Sequence, residues 1–178
     1  MDHIAGLPFF RPALQRRRLL AIYGPPGLKK SLNRLFPFSI LPSRRRIREI
    51  RPGTFRVPPF LVSSRWTNHP GGSLAYRITA PSGKTIVYIA DHEPTGRHLH
   101  GKRGVSDGAL ALWMRGADLL IMDAQYFEGE YKSRKGWGHS PVSHTVRMAL
   151  SAGIRRLSLF HHDPSHSDRL LEKKLRLA

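Results

Sequence analysis

The chain of 178 residues contains no cysteine. A disulfide and a thiolate metal ligand are therefore both excluded, and any metal must be held by histidine and carboxylate side chains. Acids are also scarce, since 12 aspartates and glutamates stand against 30 lysines and arginines and the formal net charge is +18. A positive field of this size favours polyanions such as nucleic acid, phosphorylated substrates or an anionic membrane. A solvated surface that is merely rich in arginine explains the same excess.

Long apolar runs are missing as well. No stretch approaches the ~20 consecutive apolar residues of a membrane span. Met1 is followed at once by an acid and a histidine, which is not the pattern of a signal peptide. We therefore expect a soluble, cytoplasmic protein that does not enter a membrane. A chain of this length is expected to form one domain with a sizeable core, residues 1–178.

Apolar runs that stop abruptly at a polar residue are the most informative pattern. The runs cover residues 85–90, 119–122 and 157–160. They end at Asp91, at Asp123 and at the pair His161–His162. Such runs are typical of buried strands, and an acid or imidazole after several of them indicates one shared site. The segment that follows Asp91, residues 92–96, is expected to break the strand and to leave the core.

Helix signals alternate with these runs in the second half of the chain. One predicted helix covers residues 107–115 with Ser106 as its N-cap, and another begins with Ser140 as its cap and Pro141 at its first position. A third is predicted at 168–175, and residues 128–137 are predicted to form a charged loop.

The first half of the chain is predicted to be rich in strands. Strands are expected at 19–23, 60–66 and 73–79, and a short helix at 28–35. The arginine-rich residues 36–60 are interpreted as a basic surface loop or a short irregular strand region. A patch that contacts phosphates is the functional interpretation, and a solvated turn is the favoured alternative. Strands inside and helices outside fit a layered α/β sandwich.

Histidines and acids near strand ends and Pro/Gly turns supply the candidates for metal binding. They are Asp2, His3, His69, Asp91 and His161. Imidazole and carboxylate groups without thiolate suit zinc, manganese or iron. A carboxylate between imidazoles can bridge two cations, which lower the pKa of a bound water and stabilise charge on a phosphoryl or acyl oxygen. Each residue alone is better explained by a structural role, but the set favours a metal site.

With these residues, the chain resembles the metallo-β-lactamase-fold hydrolases. It is most similar to the branch with cyclic-nucleotide phosphodiesterases, tRNA 3′-processing ribonucleases and phosphonate-pathway phosphodiesterases. Asp2-His3 followed by Gly6-Leu7-Pro8 matches the end of the His-x-His-x-Asp-His motif that opens the family's site. The resemblance implies an α/β fold, a four-layer αββα sandwich that here lacks its first strands.

The same resemblance implies roles for residues further along the chain. His69 in Asn-His-Pro-Gly-Gly matches a metal ligand, Asp91 matches the bridging aspartate, and His161 matches the last ligand, with the neighbouring His162 as an alternative. Asp123 and His139 resemble the pair that this branch sets against the scissile phosphate. In that role His139 protonates the leaving oxygen and Asp123 orients its imidazole. A structural histidine at a helix start is the alternative for His139.

The two histidines that precede Asp2 in the family are absent from this sequence. Three explanations are open: a misassigned start, a truncated remnant, or a protein that uses one metal ion or none, and the first two are favoured. A complete homologue would bind up to two ions of zinc, manganese or iron. The 178 residues are therefore expected to bind metal weakly and to be less stable than a full-length relative.

The predicted function is metal-dependent hydrolysis of phosphodiester bonds through a metal-activated hydroxide. The expected substrate is a cyclic nucleotide or RNA-like molecule, and nucleic acid is the expected macromolecular partner. Two alternatives stay open: an impaired relic that binds polyanions by charge alone, and an ester or lactam hydrolase of the same fold.

Overall fold

The computed structural model describes residues 2–36, 42–96, 101 and 104–178. The chain divides into two compact units, Met1–Arg51 and Pro52–Ala178. The expectation of one domain therefore stays a prediction. Within the described ranges, no helix has the length and apolar character that a bilayer crossing requires.

The first unit is a small β-α-β element preceded by three short 3-10 helices. These helices cover Asp2–Ile4, Leu7–Phe9 and Arg11–Leu14. Strand β1 (Leu19–Gly24) and strand β2 (Arg44–Glu49) pair in parallel, and helix α1 (Leu28–Leu35) lies between them in sequence. The predicted strand and helix are confirmed. Residues 37–41 lie outside the described part of the chain, and over residues 42–60 the strand interpretation is correct, with strands at Arg44–Glu49 and Gly53–Val57.

The second unit contains one six-stranded sheet whose strands are ordered as in the chain. They are β3 (Gly53–Val57), β4 (Phe60–Trp66), β5 (Leu74–Thr79), β6 (Thr85–Ile89), β7 (Leu119–Asp123) and β8 (Leu157–Phe160). Neighbours from β3 to β6 are antiparallel, whereas β6, β7 and β8 are parallel. Strand β4 therefore runs in the same direction as these last three strands. All four of these strands end at the same edge of the sheet.

Four helices complete the second unit: α2 (Asp107–Met114), α3 (Glu128–Tyr131), α4 (Val142–Ser151) and α5 (Asp168–Arg176). Helices α2 and α4 pack against alternate residues of the central strands, including Val87, Ile89, Leu120 and Met122, none of which is exposed. Burying each such side chain contributes about 1.5–3 kcal/mol to folding. This core holds the carboxyl ends of β6 and β7 in fixed positions.

The α/β class is confirmed, and two local predictions need correction. Ser106 caps α2 as expected, because its hydroxyl accepts a hydrogen bond from the Ala109 backbone N–H. Ser140 does not cap α4: Pro141 is the N-cap residue, and the Ser140 hydroxyl donates instead to the carbonyl of His92, 2.6 Å away. The predicted charged loop at 128–137 begins with the short helix α3.

Candidate metal and catalytic centre

Five of the predicted site residues lie at one edge of the second unit's sheet. His69 lies just beyond β4, Asp91 just beyond β6, Asp123 at the end of β7 and His161 directly after β8. His139 lies on the loop that leads into α4. Because the four strands end at the same edge, residues that are far apart in sequence approach one another there.

Donor atoms of these residues form two overlapping groups. One group is His69, Asp91 and His139, and the other is Asp123, His139 and His161; within each group the donor atoms lie within 4.8 Å of one another. Asp91 is 5% exposed, accepts a hydrogen bond from the Ser73 hydroxyl at 2.9 Å, and has Oδ1 3.7 Å from His161 Nε2. Imidazole nitrogens around a buried carboxylate fit a divalent zinc, manganese or iron ion.

The backbone of His161 has an unusual conformation. Its φ angle is 54°, and among the residues that the structure describes it is the one non-glycine residue with positive φ. This conformation costs about 1–2 kcal/mol, and such costs tend to be found at functional sites. It lets the chain turn directly after β8 so that the imidazole of His161, rather than that of His162, lies beside Asp91.

Asp123 and His139 form the predicted pair. The imidazole Nδ1 of His139 is 2.8 Å from Asp123 Oδ2, and Asp123 is completely buried. Burial raises the pKa of Asp123, and the hydrogen bond from His139 opposes that shift. Backbone N–H groups of His92 and Gln125 also donate to Asp123. With Nδ1 held by the carboxylate, Nε2 of His139 is the nitrogen available for a proton transfer or a cation.

The ring of His139 is also held by its neighbours. It stacks on the ring of His161 at 4.7 Å between centroids and meets the ring of His69 edge-on at 5.4 Å. The Tyr126 ring lies 6.3 Å away in an edge-on arrangement. These contacts place the His139 imidazole between the candidate metal ligands and the buried carboxylate. From there its Nε2 can bind a cation or transfer a proton.

Glu93 organises the loop that carries His139, a role that the sequence analysis missed. Its carboxylate accepts hydrogen bonds from the hydroxyl of Tyr131 and from the backbone N–H groups of Gly136 and Gly138. Glu93 is 4% exposed. Burial raises the pKa of the Tyr131 phenol, and the nearby Glu93 carboxylate raises it further. A buried carboxylate with three donors fixes the position of the loop just before His139.

Residues 92–96 are therefore not outside the core. The expectation is wrong because His92, Glu93 and Thr95 are all buried. The Pro and Gly in this segment do end strand β6, but its polar side chains are turned inward. The Glu93 carboxylate accepts from loop N–H groups, the His92 imidazole pairs with the Asp107 carboxylate, and the Thr95 hydroxyl accepts from the Asp107 backbone N–H. A buried polar segment of this kind is stable only when such partners are present.

Gly138 lets the loop approach the ring of His69. Its φ angle is +96°, and a Cβ atom there would lie 2.7 Å from Nε2 of His69 and 2.6 Å from Cδ of Pro70. No real Cβ atom tolerates such contacts, so only glycine fits between the loop and the imidazole. The sequence Gly-Trp-Gly-His contained this signal, but the close approach depends on a contact with a residue about seventy positions earlier.

A second group of imidazoles lies behind the site. Nε2 of His92 is 3.0 Å from Asp107, whose other carboxylate oxygen is 3.8 Å from Nε2 of His144. Nδ1 of His92 accepts the backbone N–H of Asn68 at 3.2 Å, so Nε2 carries the proton and donates it to Asp107. A cation cannot use that protonated nitrogen. The group is therefore a hydrogen-bonded support for Asn68, the residue before His69.

The protonation states of Asp107 and His144 follow from their surroundings. Although burial opposes ionisation of Asp107, the hydrogen bond from His92 and the nearby His144 lower the pKa of the carboxyl group below its usual value. Burial lowers the pKa of His144 to about 4, so this imidazole is neutral at neutral pH. A charged Asp107 carboxylate thus lies beside the neutral imidazole of His144.

Lys174 supports the end of strand β7 from the other side. This lysine on α5 is completely buried, and its ammonium group donates to the carbonyls of Ala124 and Gln125 at 2.8 and 2.7 Å. Burial lowers the pKa of Lys174 to about 8. The two carbonyls directly follow Asp123, so the lysine fixes the backbone that carries the buried carboxylate.

Asp2 and His3 belong to the first unit. His3 is an exposed residue of the first 3-10 helix, and the side chain of Asp2 lies outside the described part of the chain. Their roles as metal ligands stay predictions. The same holds for the roles assigned to His69, Asp91, Asp123, His139 and His161, although the structure brings those five side chains together.

Comparison with known proteins agrees with this arrangement. A family model described as "Beta-lactamase superfamily domain" matches residues 1–162. A Ribonuclease Z of Exiguobacterium sp. is 27% identical over an alignment of 202 positions that covers 90% of this chain and 67% of the relative. The chain spans between about half and two thirds of the length of such curated relatives.

Solved structures show the same fold. The metallo-beta-lactamase fold protein YhfI from Bacillus subtilis matches with a TM-score of 0.74 and 24% identity, over 99% of this chain and 66% of that protein. The short form of human tRNase Z matches with a TM-score of 0.70 and 23% identity, over 91% of this chain and 68% of that protein. The metallo-β-lactamase fold that the sequence motifs imply is therefore confirmed.

Proposed function

The chain belongs to the beta-lactamase superfamily, and from that membership we propose that it is a metal-dependent hydrolase of phosphodiester bonds in RNA or a related nucleotide. The observation that carries the proposal is the pairing of the buried Asp123 with His139 beside the candidate metal ligands Asp91 and His161. The relatives named Ribonuclease Z and the net charge of +18 support a nucleic-acid substrate.

The residues present fit a metal ion because imidazole and carboxylate donors converge within 4.8 Å. His69 and Asp91 would hold it, together with His161, whose Nε2 is 3.7 Å from Asp91 Oδ1. A divalent cation at such a site lowers the pKa of a water molecule and neutralises charge on a phosphoryl oxygen. Zinc, manganese and iron all suit this donor set.

The chain's own residues contribute a proton on the His139 imidazole, which Asp123 holds in a fixed orientation. Asp123 accepts the Nδ1 hydrogen of His139, and the buried carboxylate stabilises the imidazole when it is doubly protonated. Nε2 of His139 then donates its proton to the leaving oxygen as the phosphorus–oxygen bond breaks. General acid catalysis of this kind contributes roughly 10²–10⁴-fold to a rate.

The test is hydrolysis of bis(p-nitrophenyl) phosphate by the 178-residue chain with added Mn²⁺ or Zn²⁺. We expect Asp91→Ala to abolish turnover and His139→Gln to lower kcat by about 10²–10⁴-fold. His166→Gln is the matched control, because His166 also pairs with a carboxylate, that of Glu130 at 3.0 Å. Unchanged kcat in His139→Gln would dismiss the proposed role of the imidazole.

A second candidate is a protein that binds polyanions by charge alone, which the charge of +18 favours. Such a protein loses affinity as salt rises and is insensitive to a chelator, whereas the hydrolase loses activity with the chelator. Ester or lactam hydrolysis is less well supported because it does not require a pair such as Asp123 and His139. The cellular compartment stays a prediction.

A further inference from the structure

The positive charge of the chain is concentrated in its first unit. Residues 1–51 contain twelve lysines and arginines but only two acids, Asp2 and Glu49, which gives a formal charge of +10. More than half of the net charge thus lies on less than a third of the chain. A polyanion is the natural partner for such a segment.

Part of this charge is arranged in a regular row on strand β2. Side chains alternate between the two faces of a strand, so Arg44, Arg46 and Arg48 lie on one face, and all three are exposed. Their Cα atoms are separated by roughly 6.6 Å, twice the rise per residue of a strand. This is close to the separation of neighbouring phosphates along an extended RNA strand.

The opposite face of β2 is occupied by helix α1. Glu49 points to that face and accepts hydrogen bonds from the backbone N–H groups of Gly27 and Lys29 at the start of the helix. Arg45 points to the same face and donates to the carbonyl of Phe36 at the helix end. The acid of the strand is therefore used to cap α1, on the side away from the row of arginines.

An aromatic ring lies beside the row. The parallel register places Tyr23 of β1 level with Arg48, on the same face of the two-stranded sheet, and the guanidinium of Arg48 lies 5.9 Å from the centre of the tyrosine ring. A row of cations that follows the backbone and an aromatic ring beside it are both features of single-strand binding sites.

We propose that the face formed by Arg44, Arg46, Arg48 and Tyr23, which we call the arginine face, binds the phosphate backbone of single-stranded RNA. This inference rests on the proposed function, because the arginine face would bind the RNA that the proposed hydrolase acts on. Exposed arginines in a row at phosphate spacing favour a linear polyanion over a single phosphate. Guanidinium groups also bind phosphate oxygens in a bidentate manner.

The experiment measures binding of a fluorescent single-stranded RNA to the 178-residue chain by anisotropy, at several salt concentrations and with EDTA present. The test variant is R44Q/R46Q/R48Q. The matched control is R11Q/R16Q/R17Q, which removes the same charge from exposed arginines of the same unit. A third variant, R44K/R46K/R48K, keeps the charge.

We expect the slope of log affinity against log salt to fall by about 2 in the test variant, since each phosphate contact on a single strand contributes about 0.7. The affinity of this variant at low salt should fall by at least about tenfold. The control should change the slope by less than half as much, and the lysine variant should keep most of the slope. Unfolding curves in urea check that all the variants are folded.

Equal losses in the test and control variants would overturn the proposal, because net charge alone would then explain binding. Preferential binding to phosphatidylserine vesicles over RNA, abolished by the same three substitutions, would overturn it too. Because the assay contains a chelator and needs no turnover, absence of hydrolysis refutes the proposed function without affecting this result. Unchanged RNA binding refutes the arginine face even where hydrolysis is confirmed.

Discussion

Replacement of Gly138 by alanine tests whether the loop before His139 fixes the position of His69. Gly138 has φ +96°, and the added Cβ would lie 2.7 Å from Nε2 of His69 and 2.6 Å from Pro70 Cδ. Gly136 offers a matched control in the same loop. Its φ is +89°, and a Cβ added there meets no heavy atom within 4 Å.

The two substitutions share one cost and differ in another. An alanine at a positive φ is strained by about 1–2 kcal/mol in either position. Only Gly138→Ala adds a collision with the imidazole and the proline ring, and overpacking of this kind costs about 1–3 kcal/mol. The expected loss in the free energy of unfolding is therefore about 2–5 kcal/mol for Gly138→Ala and about 1–2 kcal/mol for Gly136→Ala.

Urea unfolding followed by tryptophan fluorescence measures both losses, and calorimetric titration with Zn²⁺ measures the effect on the metal site. Because His69 must move, Gly138→Ala should lower metal affinity by about 10–100-fold more than Gly136→Ala, the range found when the support of a ligand is disturbed. Equal losses of stability and equal metal affinities in the two variants would refute the reasoning, since backbone strain alone would then account for both.

Two further predictions concern the groups that hold the site from behind. Glu93→Gln leaves one acceptor oxygen but turns an amide donor toward a loop N–H, so we expect a loss of about 1–3 kcal/mol in the free energy of unfolding, measured in urea. Glu172→Gln, whose exposed side chain pairs with Arg176 four residues later, should cost at most about 0.5 kcal/mol. The pKa of Lys174 is lowered to about 8 from 10.5, so the folded state binds fewer protons than the unfolded state between these values and its stability rises with pH there. Lys174→Met should remove that rise, which amounts to ~3 kcal/mol at most. If the free energy of unfolding changes with pH in the same way in Lys174→Met and in the unsubstituted chain between pH 7.5 and 10, the lowered pKa of Lys174 is contradicted.

The strand ends of the site are predictable from the sequence because two local signals coincide there. The runs before Asp91, Asp123 and His161 are mostly apolar, and each stops at a residue that can bind a metal or a proton. Parallel strands bring such ends to the same edge of a sheet. The approach of the three strand ends therefore follows from topology, whereas the placement of the His161 imidazole beside Asp91 also requires the local backbone conformation of His161.

The support of the site is not predictable in the same way. Glu93 lies in a segment with Pro and Gly, which indicates a solvated turn, but its carboxylate is buried by backbone donors more than forty residues later in the chain. Ser140 carries the sequence signal of a helix cap, yet the carbonyl of His92 competes for its hydroxyl and binds it. In both cases a long-range partner decides the structure, and no local pattern encodes that partner.

The register of β6 and β7 explains why two similar aspartates suit different tasks. Ile89 is paired with Met122, so Asp123 lies level with Ala90 and one residue deeper in the sheet than Asp91. At that depth Asp123 is fully buried, and donors from His139, His92 and Gln125 occupy both of its oxygens. A buried carboxylate with protein donors on both oxygens is well placed to orient an imidazole and is the weaker candidate for a cation. Asp91, about 3.3 Å further along the strand direction, reaches the edge where His161 lies, and it is the better candidate for a ligand.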